Sequence, residues 1–363
     1  MEWDTPTAKK EFAKIRYLAS VKYDGYQNFE PGRRFVESLG TWLRQFKSVD
    51  QRRIAYQFIM TRMVYVSGTQ MDHLVDLFYP QRVLPILLDQ SRTRDSISPY
   101  QVRKIRTSTT FAVLQRKTLF LGMSDGARID TFRRKNALNN EQVSVSYELS
   151  PEKAARMTEK LRQWLADRDI QAEPTFENIF LIDDFSGSGR SILRFEDGKF
   201  KGKLARFVDE TLMKSLGESC APGGAHLFVA TYLGTVGAKR HLAETLDAFC
   251  KTIRTGLLAE CIVPDPLQVF GNKLSVPQED KPNDLAFDEL LNAYYDDRLE
   301  DENTKTGGTD VKHGYAGCGL PLVLCHNCPN NSVYLLWGQT ERLPDRPGLH
   351  ALFPRISRHL ESR

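Results

Sequence analysis

The segment Phe180–Ser191, reading Phe-Leu-Ile-Asp-Asp-Phe-Ser-Gly-Ser-Gly-Arg-Ser, constrains this chain more than any other. Its apolar start has the character of a strand buried on both faces of a sheet. The run ends in two adjacent carboxylates, Asp183 and Asp184, and a loop of Ser186, Gly187, Ser188, Gly189 and Arg190 follows. A helix is expected from about Ser191, interrupted at Asp197-Gly198. Such a strand–loop–helix unit suits a phosphorylated sugar. The carboxylates accept hydrogen bonds from hydroxyls or hold hydrated Mg²⁺. The loop N–H groups and Ser hydroxyls wrap a phosphate at a helix N-terminus.

A second unit of this kind lies upstream. Thr118–Met123 reads as a buried strand, and Gly122, Ser124, Asp125, Gly126 and Arg128 form its loop before a helix from Ile129. Asp125 is a candidate Mg²⁺ ligand and Arg128 a candidate pyrophosphate partner. Val143–Leu149 alternates as a strand. Ser150-Pro151 opens a helix whose apolar face is Leu161, Trp164 and Leu165. A helix over residues 202–216, a strand over 226–233, a helix over 236–249 and a strand near 260–263 complete the pattern. Strands alternating with helices predict an α/β fold with a doubly wound parallel sheet, whose ligand crevice lies at the C-terminal strand ends.

Residues 1–100 read as mostly helical, with one helix over 54–64 and another, capped by Thr69 and Asp72, ending near Pro80. The basic run Arg92–Lys117 is expected to be a solvated face. Nucleic-acid contact is the alternative, for which the run shows no aromatic interleaving. Thr304–Asp310 reads as a linker. The tail carries Cys318, then Cys325-His326-Asn327-Cys328-Pro329-Asn330-Asn331 between two apolar runs taken as strands. The three thiols have partial zinc-ligand spacing without a second CxxC pair. His326 suits an acid/base or base-contacting role. Alternatively, the polar side chains of this turn bond its own backbone.

The Asp183–Ser191 stretch resembles the phosphoribosyl-diphosphate (PRPP) signature of type I phosphoribosyltransferases, with Ser188 and Ser191 where that signature has Thr. The resemblance implies that Asp183 and Asp184 engage ribose hydroxyls and that Ser186 to Ser191 hold the 5′-phosphate. It also implies that Gly122–Arg128 lies beside pyrophosphate and Mg²⁺. Leu181–Gly189 followed by His326–Asn331 and Trp337 resembles the narrower PRTase-CE family, phosphoribosyltransferase-like proteins proposed as effectors of bacterial anti-phage conflict systems. The phosphoribosyltransferase-like core is expected over 115–265, where the type I resemblance lies, with a helical region over 1–114 before it and a C-terminal α+β extension over 266–363. The activity expected from the type I signature is transfer of a phosphoribosyl group or, run the other way, cleavage of a nucleotide, with a sensor protein of a defence system as partner. A non-catalytic nucleotide sensor on the same fold, or a nucleic-acid-binding regulator, is the alternative.

The 363 residues carry a net charge of +4, which suits an anionic small molecule and a nucleic acid equally. No apolar run reaches the ~20 residues of a membrane span. The six Cys do not form a secreted disulfide framework, and Met1–Asp4 shows no signal-peptide pattern, so a reducing cytoplasm is the expected location.

Overall fold

The computed structural model describes residues 1–26, 34–253, 256–344 and 346–355. Among them the strands are, in chain order, β1 (Val64–Val66), β2 (Thr118–Gly122), β3 (Val143–Ser144), β4 (Asn178–Ser186), β5 (Arg194–Glu196), β6 (Lys199–Lys201), β7 (Ala225–Thr235), β8 (Leu258–Ile262), β9 (Gln268–Phe270) and β10 (Leu322–Leu324). The chain forms two compact units, one of residues 1–71 with 271–363 and the other of residues 72–270. No helix of the described residues is long and apolar enough to cross a membrane.

The unit of residues 72–270 holds a parallel sheet in the order β3-β2-β4-β7-β8, with β9 also paired to β7. This is the doubly wound α/β arrangement of type I phosphoribosyltransferase-like folds. Strands β2 and β4 are buried along their apolar length, because helices cover the sheet. On one face Phe120, Phe180 and Phe228 stand in register across three strands, with ring centroids 5.5 and 4.5 Å apart. The other face presents Leu119, Leu121, Ile179, Leu181, Leu227 and Val229 to a large apolar core. The chain winds from β2 to β3 in one direction and crosses to β4 in the other. The order therefore reverses between β2 and β4, and their C-terminal ends flank the crevice where such sheets take ligands.

Helix Pro151–Ala166 begins as expected, with Ser150 Oγ accepting from Lys153 N at 3.3 Å, and it buries Leu161 and Leu165. Four local expectations are corrected. The chain after Ser191 is not helical: it forms the β5–β6 hairpin, with Asp197 and Gly198 at positive φ at its tip. Residues 145–149 leave the sheet after two paired residues, and Val145 is exposed. The helix Gly68–Phe78 is capped by Ser67 and Gln70, which bond each other's backbone N–H, rather than by Thr69. It does not stop at Pro80, but continues through a wide turn over Tyr79–Val83 into helix Leu84–Asp95. That wide turn leaves Pro80 without the register clash it would cause in a regular helix.

In the other unit, helix Val49–Thr61 ends before β1, which pairs with β10 in parallel; residues 64–66 are thus a strand and not the end of a helix. Phe58 stacks on Phe287 of helix Pro282–Ala293 at 3.7 Å between centroids, and Arg62 lies 2.9 Å from the buried Asp284 carboxylate. Part of the predicted linker is ordered by a capping box between Asp301 and the buried Thr304. The second apolar run of the tail, Tyr334–Trp337, is a buried helical turn and not a strand.

Phe180→Ala removes the middle ring of the phenylalanine row and is expected to cost about 3–5 kcal/mol in denaturant unfolding. A second expectation concerns pH. The Arg298 guanidinium, helped by the Thr340 hydroxyl, holds the Asp296 carboxyl down to about 2. A depressed carboxyl stabilises the fold above its unfolded pKa and loses that contribution as pH falls through the folded value. The wild type should therefore exceed Asp296→Asn in stability by about 2 kcal/mol at pH 5, and by progressively less toward pH 2.

Candidate phosphoribosyl site

Asp183 and Asp184 lie near the C-terminal end of β4 beside the reversal point, and the loop after β2 lies against them. Met123 N extends the β2–β4 ladder by bonding Ile182 O at 2.8 Å, which places Ser124 beside the carboxylates. The Ser124 hydroxyl lies within bonding distance of Asp183 Oδ1, and of Asp184 Oδ1 at 3.0 Å. Its single proton serves one of them at a time. Lys203 Nζ bonds Asp183 Oδ2, and Asp184 N donates to Asp183 Oδ1 at 3.1 Å. Asp183 is thus enclosed, while Asp184 remains part-exposed. Burial pushes the Asp183 carboxyl up, the Lys203 ammonium pulls it back, and the neighbouring Asp184 pushes it up further.

Lys203 carries no mark of a site residue in the sequence, because the chain reaches it only after the hairpin. Two backbone bonds close that excursion: Lys203 N to Ser191 O at 3.0 Å and Leu204 N to Ile192 O at 2.9 Å. Gly202 sits at φ 117, and a Cβ there would lie 2.5 Å from Ile192 O, so the return needs glycine. The one available signal is Asp197-Gly198 between Phe195 and Phe200, a hairpin turn pair flanked by matching residues.

The phosphate loop is built differently from the expected helix N-terminus. Gly189 adopts φ 76 and its carbonyl accepts from Ile192 N and Leu193 N, both at 3.0 Å. Arg190 N donates to Ser188 Oγ at 3.3 Å. Among the described residues the N–H groups of Ser188, Gly189 and Ser191 meet no acceptor. The buried Ser186 Oγ also has no partner there. Successive N–H groups around a left-handed residue make an anion-binding concavity without a helix dipole. Thr235 braces this loop from below. Its hydroxyl donates to Gly187 O at 2.6 Å and caps helix Val236–Cys250 by accepting from Ala238 N at 2.9 Å.

In the loop after β2, a Cβ on Gly122 would meet Val145 O at 2.6 Å, so this glycine permits close backbone approach. Asp125 is exposed, Gly126 is buried, and Arg128 adopts φ 47 with Nη1 2.5 Å from Asp72 Oδ1. Tyr232, wholly buried on β7, donates to Ala127 O at 2.7 Å and fixes the loop to the sheet. Neither Asp72 nor Tyr232 carries a sequence signal for this role, since both act through tertiary contact.

His326 belongs to the other compact unit, part-buried, with Nδ1 3.9 Å from Cys325 Sγ. There Asn331 bonds its own turn, donating to Tyr315 O at 3.2 Å and Cys318 Sγ at 3.3 Å. Burial pushes the Cys328 thiol up to about 12, and the thiol donates to Leu322 O at 3.6 Å. Among the described residues no three His, Cys, Asp or Glu side chains gather in a way able to hold a metal ion.

The PRTase-CE family model matches residues 39–355, most of the chain and both compact units. The chain belongs to this family. No curated protein and no solved structure matches it. Family membership makes the protein phosphoribosyltransferase-like.

If Lys203 is what allows Asp183 to be buried as a carboxylate, Lys203→Met leaves that charge uncompensated and costs about 3–5 kcal/mol in denaturant unfolding. Adding Asp183→Asn to that variant should restore much of the loss. Additive losses would mean that the two side chains stabilise the fold independently.

Proposed function

We propose that the protein binds a 5-phosphoribosyl group, as PRPP or as a nucleotide, at the C-terminal ends of β2 and β4. The supporting observation is the shared bonding of Ser124 to both Asp183 and Asp184, which sets the loop after β2 against the two carboxylates that precede the Ser186–Ser191 loop. In this reading Asp184 accepts from the ribose hydroxyls, while Asp183, fixed by Lys203 and Ser124, orients it. The N–H groups of Ser188, Gly189 and Ser191 take the 5′-phosphate, with Arg190 at its edge. Arg128 and Asp125 face the diphosphate side.

The oxygen donors here suit Mg²⁺ reached through one carboxylate together with substrate phosphates and water, its usual manner of binding. Asp184, part-exposed, and Asp125, exposed, are the carboxylates that would hold it, since Asp183 is buried. When bound, Mg²⁺ supplies neutralisation of the charge that gathers on the diphosphate. The reaction would be displacement at the anomeric carbon. The bond from that carbon to the leaving diphosphate, or to the base of a nucleotide, breaks as one to an acceptor or to water forms. The protein's part is positioning and fixed charge. Depletion of a nucleotide pool by such a reaction fits a defence effector in the cytoplasm, working with a sensor protein. A nucleotide sensor without turnover would use the same loops.

Calorimetric titration with ribose 5-phosphate, AMP and PRPP, each with Mg²⁺, tests the site. Asp184→Asn should weaken ribose 5-phosphate about 10- to 100-fold, the worth of a hydrogen bond to a charged group. Affinity unchanged by that substitution would remove the carboxylate pair from the site. Turnover of PRPP or nucleotide, lost in Asp183→Asn/Asp184→Asn, would separate the enzyme from the sensor.

A further inference from the structure

The basic run over residues 92–117 divides into two sets. Arg92 pairs with Asp89, Arg94 and Lys117 both pair with Glu177, and Arg116 is buried. Arg103, Lys104 and Arg106 are exposed and form no ion pair among the described residues. They project from the short helix Val102–Arg106, which Ile105 anchors at 1% exposure. The nearest acid along the chain on the preceding side, Asp95, accepts from Thr110 Oγ1 at 2.6 Å.

Beside this helix stands an aromatic ring within the basic run itself, Tyr100, which corrects the expectation that the run has no aromatic interleaving. Tyr100 is 93% exposed, in a turn that starts at Ser98-Pro99 and closes through Gln101 N to Ser98 O at 3.0 Å. Proline in this turn limits its motion. Tyr100, Gln101, Val102, Arg103, Lys104 and Thr107 line a surface groove of about 530 Å³. A single exposed ring is ordinary on a protein surface, but here it stands beside cations without an ion pair among the described residues, the combination that single-stranded nucleic acid uses.

We propose that this groove binds single-stranded nucleic acid, with a base stacked on Tyr100 and the flanking phosphates on Arg103 and Lys104. A polyanion matches the unpaired charge, and stacking needs the open face of a base, which a duplex conceals. A five-residue helix is too short to read a major groove. The surface is separate from the β2 and β4 loops in sequence and chemistry, and it stands whether or not those loops bind a phosphoribosyl group.

Fluorescence anisotropy of the full chain with labelled oligothymidylate and oligouridylate of about twenty nucleotides tests it, across about 50–200 mM salt. Binding should weaken as salt rises. Tyr100→Ala should raise Kd about 5- to 100-fold. Arg103→Ala/Lys104→Ala should lower the salt slope by about 1.4, or 0.7 for each phosphate that is no longer neutralised. Lys9→Ala/Lys10→Ala, exposed basic residues of helix Thr5–Val21, should leave Kd unchanged. All these side chains are exposed, so thermal midpoints should match the wild type. The proposal is overturned by absent or salt-independent binding, by an unaffected Tyr100→Ala, by equal loss in the Lys9/Lys10 control, or by tighter binding of a duplex. Displacement of the oligonucleotide by polyglutamate at equal charge concentration would assign the groove to an acidic protein instead.

Discussion

A carboxylate buried at the end of the central strand is the constraint on which the candidate site depends. Asp183 follows five consecutive residues that are fully buried, and it is itself 2% exposed. A charge in that position costs several kcal/mol unless it is paired and hydrogen-bonded. The structure supplies Lys203 at one oxygen, and Ser124 and the Asp184 N–H at the other. Ser124 requires the β2 loop to lie against β4. Lys203 requires the chain after Ser191 to leave, turn through a hairpin and come back. The geometry of both loops is tied in this way to the solvation of one side chain.

The sheet order explains why these groups meet. Winding reverses between β2 and β4, so the loops that follow them diverge and leave a crevice between. Tyr232 and Thr235, both on β7, then brace the two loops from the neighbouring strand. The proposed phosphoribosyl site is assembled from three adjacent strand ends and a hairpin, with a compact N–H concavity in place of a helix dipole.

The elements are unequally legible in the sequence. Strands β2, β4 and β7 can be read because burial on both faces leaves an unbroken apolar run, and helix Pro151–Ala166 because Ser150 and Pro151 mark its start. Val143–Leu149 misleads, since Tyr147 and Leu149 are buried without being paired in the sheet. Asp197-Gly198 looks like a break in a helix and is the tip of a hairpin. The tail turn is open in sequence between a ligand site and self-bonding, and Asn331 at least is committed to its own turn. Tyr100 escapes notice because an aromatic residue in a sequence has no stated exposure.

The sequence by itself determined that two strand–loop units exist, that one ends in paired carboxylates, and that the loops hold the groups needed for a sugar phosphate. Those are properties of consecutive residues, and consecutive residues are what a sequence displays. Only the tertiary structure decided which carboxylate is enclosed and which remains open. It also decided that Lys203 and Ser124 do the enclosing, and that Arg103 and Lys104 have no ion pair among the described residues while Arg94 and Lys117 do. Each of these depends on which distant side chain arrives within about 3 Å, and that is fixed by how the chain returns on itself.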